Sequence, residues 1–372
     1  SEMAPLGAAL PAIELLPVAQ LQRLYGTVGR SSAALLGAAS HTTLSHPDLV
    51  RQLVRHSLTW GQAHAVDEMV VTNSCTEAMS LCLRAVTQPG DTVAVESPSY
   101  YLMLQLLQQL KLKALEIPTH PRHGMSVDAL EMATRERRVA ACLLVSNFNN
   151  PLGSVVPDHE KKRLAELMAA RQIPIIEDDI FGNLHFGPDR PWPVKSFDSS
   201  GNVMYCSSLS KTVSPSLRLG YVAAGRFHAE IMMQKTLTSG ATNPVTQVVV
   251  ARYLESTAYV RHLRGLRRAY EKQVMQMSEA VQRYFPSGTR FSQPQGGLVL
   301  WVELPVGSDS TALFEEAVSA GIAFVPGDLF SASGKYRNCL RLNCGNPWSP
   351  RLEEAIKCLG LLAARIAVTA RA

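Results

Sequence analysis

The stretch Ser207-Ser208-Leu209-Ser210-Lys211-Thr212-Val213-Ser214-Pro215-Ser216-Leu217-Arg218-Leu219-Gly220 decides how this chain is read. A lysine framed by hydroxyls lies between two strand-like runs, Val203–Cys206 and Leu219–Ala223, and an arginine follows it seven residues later. A lysine amine condenses with an aldehyde to give an imine, while a serine hydroxyl and an arginine fork hold a phosphate dianion. Lys211, Ser208 and Arg218 therefore suit an aldehyde that carries a phosphate. An ordinary polar loop has the same composition, so the segment needs support from elsewhere in the chain.

Outward from it, short apolar runs alternate with helical patterns. Strand-like runs are Met69–Thr72, Thr92–Val95, Ala114–Ile117, Ala140–Val145, Ile173–Glu177 and the two already named. Helix-like stretches fall at 76–87, 99–110, 126–137, 157–171 and 226–238. Strands alternating with helices predict an α/β fold with a mostly parallel sheet. Ligands of such sheets sit outside the carboxyl ends of the strands, which is where the suggestive residues fall. After residue 255 the pattern changes to a long basic helix (Tyr259 to Tyr284), a strand pair around Gly296–Glu303, a helix at 310–320, short strands at 322–325 and 339–344, and a closing helix from 349. The expected division is an N-terminal arm (1–45), a large domain (46–255) and a smaller α+β C-terminal domain (256–372).

Composition narrows the function classes. The chain has 372 residues, 46% hydrophobic and 18% charged, enough to bury a sizeable core. No apolar run approaches the ~20 residues of a membrane span, and no secretory signal pattern opens the chain. Seven cysteines are scattered without a close CxxC pair, which argues against a disulfide framework or a metal site and for a reducing cytoplasm. The net charge of +5 permits an anionic ligand without arguing for nucleic acid. The arginines of Arg261-His262-Leu263-Arg264-Gly265-Leu266-Arg267-Arg268 read as a solvated face, because Leu263, Leu266 and Tyr270 form a stripe to bury.

Three further segments carry chemistry. In Thr72-Asn73-Ser74-Cys75-Thr76-Glu77-Ala78, small residues follow a strand and open a helix, whose backbone N–H groups and dipole favour an anion. Ser74 followed by Glu77 also satisfies a capping box that needs no ligand. Asn147-Phe148-Asn149-Asn150-Pro151-Leu152-Gly153 is a turn after a strand and places the Asn150 amide for a ligand oxygen. Glu177-Asp178-Asp179 ends a buried strand, where one acid can pair with a ring nitrogen or all three can be solvated ends.

Taken in this order, the segments resemble the fold type I aminotransferases that use pyridoxal 5'-phosphate, from about Val70 to the C-terminus. The resemblance implies that Lys211 is the Schiff-base lysine. It assigns Ser208, Arg218, Ser74, Cys75 and Thr76 to the phosphate, through backbone and side chain. Tyr100, in Ser97-Pro98-Ser99-Tyr100, is the stacking aromatic, Asn150 the donor to the phenolic oxygen and Asp178 the partner of the pyridine nitrogen. Arg341, in Leu340-Arg341-Leu342-Asn343-Cys344, grips the substrate carboxylate, although a surface ion pair is the ordinary reading of such an arginine. The implied catalytic group is Lys211, Asp178 and Tyr100, and the implied reaction passes an amino group between an α-amino acid and a 2-oxo acid. A homodimer and an amino acid or amine ligand are expected on the same ground.

Two departures stand out. Where many members carry a tyrosine two or three residues after the acid, this chain has Ile180 and Phe181. Loss of that donor leaves the imine holding its proton more tightly, so Phe181→Tyr is expected to lower the imine pKa. A spectroscopic pH titration showing no change would contradict this. The family's Tyr-Gly-x-x-x-Gly stretch is replaced by Ser40-His41-Thr42-Thr43-Leu44-Ser45-His46-Pro47, which puts an inter-subunit phosphate contact in doubt. Within the family the text is similar to the aminotransferase-like effector domain of MocR/GntR-type transcriptional regulators, through Glu177-Asp178-Asp179 and Ser210-Lys211-Thr212-Val213-Ser214-Pro215. The start at Ser1-Glu2 rather than methionine favours a piece of a longer regulator, and DNA would then be bound only by a domain outside this chain.

Overall fold

The computed structural model describes residues 3–31, 33–37, 44–61 and 64–369. Ser40–Thr43, part of the stretch that replaces the Tyr-Gly motif, lie outside the described residues. The chain opens on a short strand, β1 (Ala4–Pro5), and a helix, Val18–Arg30. Eight strands then build the main sheet: β2 (Met69–Thr72), β3 (Thr92–Ser97), β4 (Lys113–His120), β5 (Gly124–Met125), β6 (Ala141–Leu144), β7 (Ile175–Asp178), β8 (Val203–Ser208) and β9 (Gly220–Ala223). β2, β6, β7, β8 and β9 are buried along their whole length, as strands covered on both faces must be.

The strand order is β2-β9-β8-β7-β6-β3-β4-β5. Pairs β3–β4, β3–β6, β6–β7 and β7–β8 are parallel, while β9 runs antiparallel to both its neighbours and β5 antiparallel to β4. The expected α/β architecture with a mostly parallel sheet is therefore present. From β3 the chain moves one way to β4, then returns to β6 on the other side and continues to β7 and β8. That reversal makes a crevice outside the carboxyl ends of β3 and β6.

The C-terminal part forms a second sheet from β10 (Arg290–Phe291), β11 (Val299–Glu303), β13 (Val325–Pro326) and β14 (Cys339–Asn343), in the order β10-β11-β14-β13 and all antiparallel. β12 (Ile322–Ala323) pairs in parallel with β1, which ties the N-terminal arm to this part of the molecule. Its core is closed by the helices Thr257–Tyr284 and Pro350–Thr369. On Thr257–Tyr284 the buried residues Tyr259, Leu263, Leu266, Tyr270, Val274, Met277 and Val281 recur at steps of three or four residues. Such a stripe faces one side of a helix, and burying each large apolar side chain contributes about 1.5–3 kcal/mol. Arg261, Arg264 and Arg268 are exposed on the other side, as the sequence implied, whereas Arg267 is half-buried and its Nε donates to Asn183 O at 2.7 Å. Among the described residues no helix is long and apolar enough to cross a membrane.

Helix Pro244–Glu255 had no counterpart in the sequence reading. Eight of its residues are buried, in an almost continuous run from Thr246 to Leu254, so it lacks the polar face that marks an amphipathic helix. Its Val248-Val249-Val250 segment also resembles strand text.

Candidate active site

Except for Arg341, the candidate residues lie at the ends of main-sheet strands or in the loops and helix starts that follow them. β7 ends on Asp178, β8 on Ser208, β3 runs into the turn before Tyr100, and β6 into the turn containing Asn150. The register places Thr72 opposite Gly220 and Gly220 opposite Ser208, so the loop after β2 lies beside the end of β8. Gly220 is what permits this approach. A Cβ there would stand 2.5 Å from the Ser74 carbonyl carbon and 2.7 Å from the Cys75 nitrogen. Any side chain at 220 would push the loop away from the sheet.

Ser74, Cys75, Thr76, Tyr100, Asn150, Asp178, Ser208, Lys211 and Arg218 all line one cavity of about 360 Å³. That volume lies within the range of small-molecule sites. Arg341 approaches from β14, its Nη1 donating to Asn150 Oδ1 at 3.2 Å. It has no solvent exposure, so the surface ion pair that its sequence context allowed is absent. The guanidinium lies 5.8 Å from the Tyr101 ring and 5.6 Å from the Phe330 ring. No carboxylate among the described residues forms an ion pair with it, and its Nε has no hydrogen-bond partner. Burial lowers its pKa.

The three consecutive acids have three environments. Successive side chains of a strand point to opposite faces, so Glu177 and Asp179 lie on one side and Asp178 on the other. Asp179 accepts from Tyr205 Oη at 2.8 Å, from Asn147 Nδ2 at 2.9 Å and from Arg190, whose guanidinium lies 4.1 Å over the Trp60 ring. Glu177 accepts from the Val194 and Lys195 backbone N–H groups at 2.7 and 2.9 Å. Only Asp178 lines the cavity. Its Oδ1 accepts from Ile180 N at 3.0 Å and from Cys75 Sγ at 3.5 Å. Burial pushes its pKa up to about 6, against the Ile180 and Cys75 hydrogen bonds that stabilise the charged form. At neutral pH it is ionised yet unusually basic, which suits a carboxylate that keeps a proton on a ring nitrogen.

The Cys75 thiol is thus aimed at Asp178, and what Cys75 offers an anion is its backbone N–H. Burial also raises its pKa, so it remains a thiol donor. The capping box is likewise altered. Ser74 Oγ accepts from Glu77 N at 3.0 Å, but the Glu77 carboxylate accepts from Asn73 N rather than from Ser74 N. Thr76 and Arg218 are exposed, and Arg218 adopts φ 48°. That left-handed conformation costs a non-glycine residue about 1–2 kcal/mol.

Lys211 donates to Ala9 O of the N-terminal arm, and Arg341 Nη2 donates to Gly7 O two residues earlier. Neither contact was legible in the sequence. Burial, followed by the nearby Arg341 charge, lowers the Lys211 pKa to about 8. A useful fraction of the amine is then neutral and nucleophilic near pH 7. Phe181 also lines the cavity, is 1% exposed and brings no donor.

One further buried acid supports the site from behind. Glu96 on β3 accepts from Val145 N at 2.9 Å, and burial pushes its pKa from 4.5 up to about 8. Because the folded-state value is the higher one, the protonated acid favours folding. That contribution is complete below about pH 4.5 and is lost as pH rises through about 8. The thermal midpoint is expected to fall between pH 5 and 8.5, and to fall less in Glu96→Gln. Equal slopes in the two proteins would contradict this.

Comparison with known proteins identifies the family and the fold. Residues 39–359 match the family model described as aminotransferase class I and II. An uncharacterized HTH-type transcriptional regulator, YjiR of Escherichia coli, is 38% identical over 97% of this chain and 76% of its own length. Aromatic-amino-acid aminotransferase 1 of Thermococcus litoralis is 30% identical over 78% of this chain and 71% of its own. Kynurenine aminotransferase of Pyrococcus horikoshii, solved in complex with PMP, superposes with a TM-score of 0.89 at 27% identity, over 98% of this chain and 91% of its own.

Proposed function

The chain belongs to the class I and II aminotransferase family, and from that premise we propose that it carries pyridoxal 5'-phosphate on Lys211 and passes an amino group between an α-amino acid and a 2-oxo acid. The observation that carries this reading is the convergence on one cavity of an amine with a lowered pKa, a buried carboxylate and a hydroxyl-lined loop at a helix start. When bound, the cofactor supplies the electron sink for the bond broken at the substrate α-carbon.

The chain's own residues do the rest. Lys211 Nζ would hold the cofactor aldehyde and, as a free amine, would act as general base toward the substrate α-proton. Asp178 holds a proton on the ring nitrogen. Tyr100 would pack against the ring, and the Asn150 amide would donate to the phenolic oxygen. Ser74 and Thr76, with the backbone of Cys75, face the phosphate with Ser208 and Arg218. Arg341 takes the substrate carboxylate in place of the arm carbonyl. The protein acts as a homodimer in the cytoplasm, a compartment consistent with seven free cysteines.

A second reading is favoured by YjiR, which carries additional length beyond the matched region, and by Phe181, which withholds the usual donor. In it the same site senses an amino acid or amine for a transcriptional regulator whose DNA-binding domain lies outside this chain. Visible absorption separates the two. A band that requires Lys211 and is bleached by an amino acid supports transfer. A band that shifts without conversion supports sensing. No band with pyridoxal phosphate contradicts both.

A further inference from the structure

A buried lysine stands behind the anion loop, where the proposed reaction makes no use of it. Lys235, on the helix His228–Thr238, has a side chain with no solvent exposure. Its Nζ lies 3.0 and 3.3 Å from the two Glu77 carboxylate oxygens, 2.9 Å from Ser239 Oγ and 3.3 Å from Thr242 Oγ1. Glu77 in turn accepts from the Asn73 backbone N–H at 2.5 Å, from the Asn73 amide at 3.3 Å and from the Ser239 hydroxyl. Asn73 leads directly into Ser74-Cys75-Thr76, so an unbroken chain of contacts joins Lys235 to the loop that faces the cavity.

The charges explain why this pair matters. The first turn of the helix Cys75–Val86 presents N–H groups and a positive dipole end, which favour an anion. Glu77 is a fixed carboxylate in that same turn, and unpaired it would oppose a phosphate dianion. Burying an ion pair is a weak source of stability, since desolvation offsets the attraction. Burial does lower the Lys235 pKa, while Glu77 favours its charged form. The effect that remains is local neutralisation of Glu77 beside the anion loop.

We propose that Lys235 is a positioning residue for the phosphate end of the site, acting through Glu77: it holds the carboxylate on Asn73 and cancels a charge that would otherwise repel the phosphate. The inference rests on the cofactor reading above.

The test is the preference of the protein for pyridoxal phosphate over pyridoxal, taken as the ratio of their dissociation constants in a visible-absorption titration. Lys235→Met is expected to lower this preference about tenfold, because the Glu77 charge is left uncompensated. Glu77→Gln keeps the cation and removes the carboxylate, so it is expected to raise the preference by about twofold or more. The double variant should return to within about threefold of the unaltered protein. A mere structural clamp predicts that both single variants lower the preference, or that neither changes it, and either result would overturn the proposal. If Lys235→Met does not fold, Glu77→Gln and the double variant decide in the same way. No band with either aldehyde would overturn the cofactor reading together with this inference. Bands with both aldehydes and an unchanged preference in every variant would overturn this inference alone.

Discussion

Replacing Lys211 with alanine is expected to abolish the visible band formed with pyridoxal phosphate and to lower amino transfer by about 10⁴-fold. Among the residues lining the cavity, Lys211 is the one lysine, and its amine is lowered to a pKa of about 8 by burial and by Arg341. Lys161 and Lys235 are also buried, but Lys161 is bound to Asn147 and the Trp192 carbonyl, and Lys235 to Glu77. Neither lines the cavity. Among the described residues Lys211 Nζ hydrogen-bonds Ala9 O alone, so its removal should leave the circular dichroism and thermal midpoint close to those of the unaltered protein. A retained band would show that a different amine holds the aldehyde.

Arg341→Met is the second large effect. The amino acid concentration for half-maximal response, whether turnover or spectral change, is expected to rise about 100- to 1000-fold, or roughly 3–4 kcal/mol. Burying a guanidinium without a carboxylate is costly, and Arg341 has no solvent exposure and an Nε without a partner. It accepts this environment between Tyr101 and Phe330, where its guanidinium donates to neutral oxygens, Asn150 Oδ1 and Gly7 O. A substrate carboxylate supplies the missing charge. Methionine fills similar space without charge, so affinity should fall more than fold stability. A response within threefold of the unaltered protein would contradict the assignment.

Much of the site is local text at strand ends, which is why the sequence exposes it. Ser208 ends β8, Lys211 and Arg218 follow in the next loop, and Asn150 sits in a turn signal after β6. The three acids are a partial case. Strand alternation separates Asp178 from Glu177 and Asp179, but only the resemblance said which face meets the ligand. Contacts across long sequence separations left no trace: Gly7 O on Arg341, Ala9 O on Lys211 and Lys235 on Glu77. The aim of the Cys75 thiol toward Asp178 was equally invisible, because it depends on how the helix meets β7. The helix Pro47–Ser57 carries no ordinary capping signal, since it is capped by His46, whose Nδ1 accepts from Asp48 N.

The most direct test of the account is to reduce the pyridoxal phosphate complex with borohydride and map the modified peptide by mass spectrometry. The account predicts a single phosphopyridoxyl group on Lys211. Modification of another lysine, or none at all, would contradict it.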